Sequence, residues 1–154
     1  PSAQPMTPDA RWDHPAPHVH RLRVGPEAID EFRHVNNAVY LQWLDLAAWS
    51  HSTALGVPAA LCLELDRGMV VHRAELDYLR GALEGDDIEI ATWIVDSDRR
   101  LRCSRRFQVR RAVDGETLLR ARLDYVCMNL STGRATRMPA PFAAAYLATV
   151  DTTL

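Results

Sequence analysis

The sequence predicts an α+β domain in which an antiparallel sheet of about five strands wraps around one long central helix. Three observations lead there. Residues 40–55 carry apolar side chains at helical spacing. From Gly68 onward the apolar period falls from that of a helix to the two-residue period of a strand. The strand-like runs that follow are separated by short turn-forming clusters. A chain of 154 residues bounds the count at one domain.

Residues 1–17 hold five of the nine prolines and no apolar stretch of the kind a signal peptide needs. They read as a flexible leader before a single domain over residues 18–150. Residues 18–24 alternate as a short strand, with Val19, Leu22 and Val24 among His20, Arg21 and Arg23, and stop at Gly25-Pro26. A polar connection, residues 27–36, leads into the helix, whose stripe is Tyr40, Trp43, Leu44, Ala47, Ala48, His51 and Leu55. Asn36 or Asn37 caps its start, and Gly56 followed by Pro58 stops it. Leu41, Leu46 and Trp49 lie off the stripe, so the helix is apolar almost all round and is expected to be wrapped on every side except where a neighbour completes the wrap.

The strands come next. Residues 69–80 place Val70, His72, Ala74, Leu76 and Tyr78 on one face. Residues 88–95 are an apolar run between two acidic clusters. Residues 101–111 alternate Leu101, Cys103, Phe107 and Val109 against Arg102, Ser104, Arg106, Gln108 and Arg110. After the turn at Asp114-Gly115, residues 117–130 form a long strand, and a brief helix covers roughly residues 141–148. Short turns between consecutive strands predict an antiparallel meander.

Composition excludes several functions. An apolar fraction of 47% with 25% charge is wrong for disorder. No apolar run approaches the roughly 18 residues of a membrane-spanning helix, so no membrane is expected as a partner. Cys62, Cys103 and Cys127 are odd in number and lack CxxC spacing, which argues against a disulfide framework or zinc site and for a reducing, cytoplasmic setting. No metal or redox cofactor is expected. There is no GxSxG elbow, Walker loop or GxGxxG, and no cysteine has a paired base.

Charge is unevenly spread. All 18 basic residues are arginine. Residues 1–98 carry 7 Arg and 16 Asp or Glu, a balance of 7 − 16 = −9; residues 99–150 carry 11 and 3, a balance of 11 − 3 = +8. The basic half suits an anionic ligand, whereas a pI near 6.3 argues against nucleic acid. Arg102, Arg106 and Arg110 read either as the solvated face of a sheet or as a patch for phosphates, the former being the better reading for any single residue.

The segment that carries chemistry is residues 30–43, DEFRHVNNAVYLQW. It puts a carboxylate, an imidazole and two amides just before a helix N-terminus, where unpaired N–H groups and the positive end of the dipole can hold an oxyanion. On residue types alone, caps at the helix start and a polar loop at His34 are the favoured reading. The pattern DxxxHVNNxxYxxW, however, resembles the signature of hotdog-fold acyl thioesterases, the 4-hydroxybenzoyl-CoA thioesterase-like group and its acyl-ACP relatives. Residues 70–86 and 104–139 resemble later strands and turns of the same family, so the likeness spans residues 18 to about 140.

The resemblance implies a hotdog fold and an acyl-CoA thioesterase that releases a free acid and coenzyme A, the latter entering only as part of the substrate. It implies that Asp30 is nucleophile or general base, that the backbone N–H of Asn37 polarises the thioester carbonyl, and that His34 orients Asp30, water or substrate. Arg33, Asn36 and Tyr40 are the implied substrate contacts, with the side chains of Asn36 and Asn37 also holding the loop and capping the helix. Two departures stand out: Arg33 replaces the usual Gly before the motif histidine, and Phe32 replaces an Asn common in acyl-ACP enzymes, which favours CoA as carrier. A non-catalytic acyl-thioester-binding protein and an acyl-ACP thioesterase are the alternatives, with a hotdog dehydratase behind them. Asp45 is expected as a polar residue at the helix edge rather than as a second site carboxylate, and His51 and His72 as structural histidines. The open edges of the sheet, residues 69–78 above all, predict a homodimer, with a homotetramer as a further step.

Overall fold

Five strands form one antiparallel sheet around the apolar stripe of a single long helix. The computed structural model describes residues 12–150. In chain order the elements are β1 (His18–Arg23), α1 (Asn37–Ala54), α2 (Ala59–Leu65), β2 (Arg67–Tyr78), β3 (Asp87–Ser97), β4 (Arg102–Arg111), β5 (Thr117–Asn129) and α3 (Ala140–Ala145). The sheet order is β1-β3-β4-β5-β2. Only β3-β4-β5 is the expected meander. β2 pairs with β5 rather than with its sequence neighbour, so residues 79–86 cross from one edge of the sheet toward the other. That crossing segment becomes a wall of the site.

β2 departs from simple alternation. A bulge between Val71 and Arg73 shifts its register against β5. Met69 and Leu76 both pack against the core although they are an odd number of residues apart. One extra residue in the strand reverses the parity, and that is what allows both to face inward. The short helix α2, which no periodicity marks, begins after Pro58 and ends on Asp66 in the left-handed region (φ 55°).

The core lies between α1 and the concave face of the sheet. Tyr40, Trp43, Leu44, Ala47 and Ala48 meet Ile88 and Ile90 of β3, Phe107 and Val109 of β4, and Leu119 and Leu123 of β5. The wrap leaves one side of α1 open, the side that a neighbour would have to complete. Leu41, Leu46 and Trp49 remain 44%, 49% and 41% exposed, because the sheet covers the stripe and leaves the flank of α1 open.

Residues 12–17, which precede β1, lie over the convex face. Residues 1–11 of the expected leader lie outside the described residues. Trp12 and His14 pack edge-on against Trp93, and the Trp93 Nε1–H donates to the Pro15 carbonyl (3.0 Å). Asp13 accepts two hydrogen bonds from Arg120 (2.7 and 2.9 Å). Arg110, expected on a solvated face, is instead buried: it pairs with Glu89 (3.0 Å) while its guanidinium sits 3.6 Å from the centre of the Trp12 ring. Arg102 and Arg106 are exposed as expected.

Candidate active site

The loop before α1 is a tight hairpin. Ile29 and Val35 form an antiparallel bridge, the Asp30 N–H donates to the His34 carbonyl (2.9 Å), and the Arg33 N–H closes a turn onto the Asp30 carbonyl (3.0 Å). Arg33 then adopts φ 64°, the left-handed step that a three-residue hairpin loop requires at this point. Glycine meets that requirement without strain, whereas Arg33 brings a Cβ into it. Asp30 begins the turn, and its Oδ1 accepts the Phe32 N–H (2.9 Å), an Asx turn that fixes the carboxylate and leaves Oδ2 without a partner among the described residues.

The rest of the loop is tied from both sides. The Val35 N–H donates to the Ala82 carbonyl (3.0 Å) and the Asn36 N–H to the Ala28 carbonyl (2.9 Å). Asn36 caps α1, its Oδ1 accepting the Ala38 N–H (2.8 Å), while its carbonyl accepts the Val39 N–H (2.9 Å). Among the described residues the Asn37 N–H has no acceptor, and it stands at the positive end of α1. His34 Nδ1 donates to the Phe32 carbonyl (2.9 Å), which in the uncharged ring leaves the lone pair on Nε2. No hydrogen bond joins the side chains of Asp30 and His34 among the described residues.

These groups line an open cleft of about 430 Å³ with Asp30, His34, Asn36, Asn37 and Tyr40 on one side and Tyr78, Arg80 and Gly81 on the other. Tyr78 donates its hydroxyl to the Asn37 carbonyl (3.0 Å), joining the end of β2 to the start of α1. Tyr40 is buried, and its oxygen accepts the Ala82 N–H (2.9 Å). Burial pushes the Tyr40 hydroxyl above its ordinary pKa, so it is neutral. Gly81 is where His34 comes closest: a Cβ there would lie 2.8 Å from His34 Cδ2. Arg111 holds this wall in place by donating to Asp86 (3.2 Å), Asp114 (2.8 Å) and the Gly81 carbonyl (3.3 Å).

Five of the six residues singled out in the sequence thus meet at one cleft. Arg33 does not line it; its side chain is exposed, and its position matters through the backbone instead. Asp45 does not join the cleft either, and borders a separate cavity farther along α1. Tyr78, Arg80 and Gly81 carry no motif, and only the family likeness over residues 70–86 marked their segment. A carboxylate, an imidazole acceptor and a helix N-terminus around one opening can together activate a nucleophile and receive developing negative charge.

The fold is the hotdog. Similar structures include a 1,4-dihydroxy-2-naphthoyl-CoA thioesterase from Synechocystis (TM-score 0.77, 19% identity, 85% of this chain and 96% of that one). A Staphylococcus aureus protein solved in complex with CoA is similar at TM-score 0.78 and 19% identity, over 84% of this chain and 81% of that one. A gentisyl-coenzyme A thioesterase follows at 0.75 and 19%, over 84% and 99%. No curated protein matches the sequence at a significant level. Residues 24–146 match the Thioesterase-like superfamily, and with most of its length in that match the chain belongs to this family.

Proposed function

We propose that the protein hydrolyses an acyl-CoA thioester to the free acid and coenzyme A at the cleft between the residue 30–36 loop and the start of α1. The observation that carries this reading is the Asp30 carboxylate, fixed through one oxygen by the Phe32 N–H and free at the other, beside the unbonded Asn37 N–H. Asp30 either attacks the thioester carbon or takes a proton from the attacking water. In both routes the carbonyl oxygen gains charge, which the Asn37 N–H and the α1 dipole receive. The C–S bond then breaks to release the CoA thiolate, which takes its proton from water or, in the base route, from Asp30. In the nucleophilic route water then cleaves the acyl–Asp30 anhydride to the free acid and restores the carboxylate. His34 Nε2 is the acceptor available to orient water. Arg80 on the cleft wall, which pairs with exposed Glu116, and exposed Arg33 of the same loop as Asp30 are the cations we assign to the CoA phosphates.

The same reading takes a homodimer as the functional unit. β2 is a 12-residue edge strand, and its Val70, Val71 and Tyr78, with Leu41 and Trp49 of α1, leave apolar surface exposed. An edge of that length invites a second strand, and pairing two copies there covers the open flank of α1. We place the protein in the cytoplasm, where its three buried cysteines stay free thiols.

The test is Asp30→Asn with a thiol-release assay over a panel of acyl-CoA thioesters. Turnover is expected to fall by ~10²-fold or more with ligand affinity little changed. Near-native turnover would overturn the role of Asp30.

A further inference from the structure

Farther along α1 lies a second cavity, about 260 Å³, walled by Trp49, Met69, Val70, Tyr125 and Tyr146, with Arg105 buried in its lining. Arg105 projects from β4 on the face it shares with Cys103, Phe107 and Val109, a face otherwise apolar, and it is 2% exposed. Its guanidinium donates to His51 Nδ1 (2.7 Å) and Ser52 Oγ (3.0 Å) and lies 5.9 Å from the Tyr146 ring centre. Arginine has five N–H donors, so most remain without an acceptor among the described residues.

Among the described residues no anion pairs with this charge. Arg105 belongs to none of the ion pairs among the described residues. His51 receives the bond as a neutral ring, since burial, Arg105 and the stacked His18 hold its pKa down at about 3. Burial likewise lowers the His18 pKa, raises the Cys103 thiol to about 11, and raises the Tyr125 and Tyr146 hydroxyls, so these neighbours are uncharged near neutral pH. Asp45, the one carboxylate in the lining, lies at an exposed position on α1 and makes no ion pair with Arg105 within 4.0 Å. A buried guanidinium left without an anion is costly unless a ligand supplies one.

We infer that this cavity is a carboxylate subsite, in which Arg105 takes the terminal carboxylate of an acyl group whose carbon chain lies against the apolar walls. The inference rests on the proposed hydrolysis and on the β2-edge dimer. A two-fold antiparallel pairing sets the start of β2, which borders this cavity, opposite the far end of the partner's β2, which borders the cleft. The substrate class is then the thioester of a dicarboxylic acid.

Two measurements test it. The first compares acyl-CoA pairs that differ only at the chain end, adipyl-CoA with hexanoyl-CoA and suberyl-CoA with octanoyl-CoA, in wild type and Arg105→Gln. Wild type is expected to favour the carboxylate-ended member of a pair by roughly 10- to 100-fold in kcat/KM, the span that a charge-assisted hydrogen bond supplies. Arg105→Gln is expected to bring that ratio close to one. No preference in wild type, or a preference that survives Arg105→Gln, overturns the subsite. The second uses wild type alone: binding of hexanoate or hexanamide is followed by isothermal titration calorimetry. Binding of hexanoate at least tenfold tighter than hexanamide supports the subsite, and equal binding overturns it. A protein that selects hexanoate yet cleaves no thioester retains the subsite and overturns the hydrolase reading instead.

Discussion

At Arg33 a long cation occupies a backbone position suited to glycine. Its φ of 64° is set by the hairpin that aims Asp30, so the conformation persists whatever residue stands there. Arg33→Gly is expected to stabilise the protein by about 1 kcal/mol, since the left-handed strain of a Cβ-bearing residue is of that size. It is also expected to change turnover through the Asp30 loop. Thermal unfolding and the thiol-release assay read the two effects, and an unchanged Tm would show that the loop carries no such strain. Gly81 makes the opposite case: its backbone is ordinary, yet a Cβ there meets His34 at 2.8 Å. Gly81→Ala is expected to move the imidazole and lower kcat by roughly 10- to 100-fold, the scale of an ångström-sized misplacement. The Tm should hardly move; a normal kcat would place His34 outside the chemistry.

Among the elements, α1 was the most legible, because a cap at Asn36 and the stop at Gly56 and Pro58 are local signals. Asn36→Ala should cost about 1 kcal/mol through the lost cap. The bulge in β2 was not legible, since its register is set by β5, a strand far away in sequence. The crossing of residues 79–86 was hidden for the same reason, and with it the Tyr78–Gly81 wall of the site. Asp30, His34 and Asn37 could be singled out only because the 30–43 pattern matched a family; residue types alone favoured a capped loop. Arg105 escaped notice because strand alternation gives a face, not the absence of a counter-charge. Its partner His51 makes a prediction for α1 as a whole. With a pKa of about 3 in the fold against 6.5 for a free histidine, His51 refuses a proton that the unfolded chain accepts. The stability from this neutrality is complete above about pH 6.5 and is lost as pH falls from there toward 3. His51→Asn keeps an acceptor for Arg105 but does not titrate, so its Tm should fall less than that of wild type between about pH 7 and pH 4. Equal falls in the two proteins would refute the buried neutral histidine.

For the whole molecule, the open flank of α1 and the β2 edge point the same way. Val71→Glu places a carboxylate on that edge beside apolar surface. Light scattering at micromolar concentration is expected to show a dimer for wild type and a monomer for this variant, whose hydrolysis falls with dimerisation. A wild-type monomer with full activity would refute the homodimer as the functional unit. The strap of residues 12–17 bears on how this protein is handled. A truncation chosen from strand periodicity would start at His18. Such a cut removes the indole from Arg110, the backbone acceptor of Trp93 and the carboxylate of Arg120 at once. The shortened protein would keep the residue 30–36 loop and display the Trp93 indole, the Arg110 guanidinium and an unpaired Arg120 on the outer sheet. It should precipitate on concentration while remaining active when dilute, so its failure in the tube would be one of colloidal stability and not of chemistry.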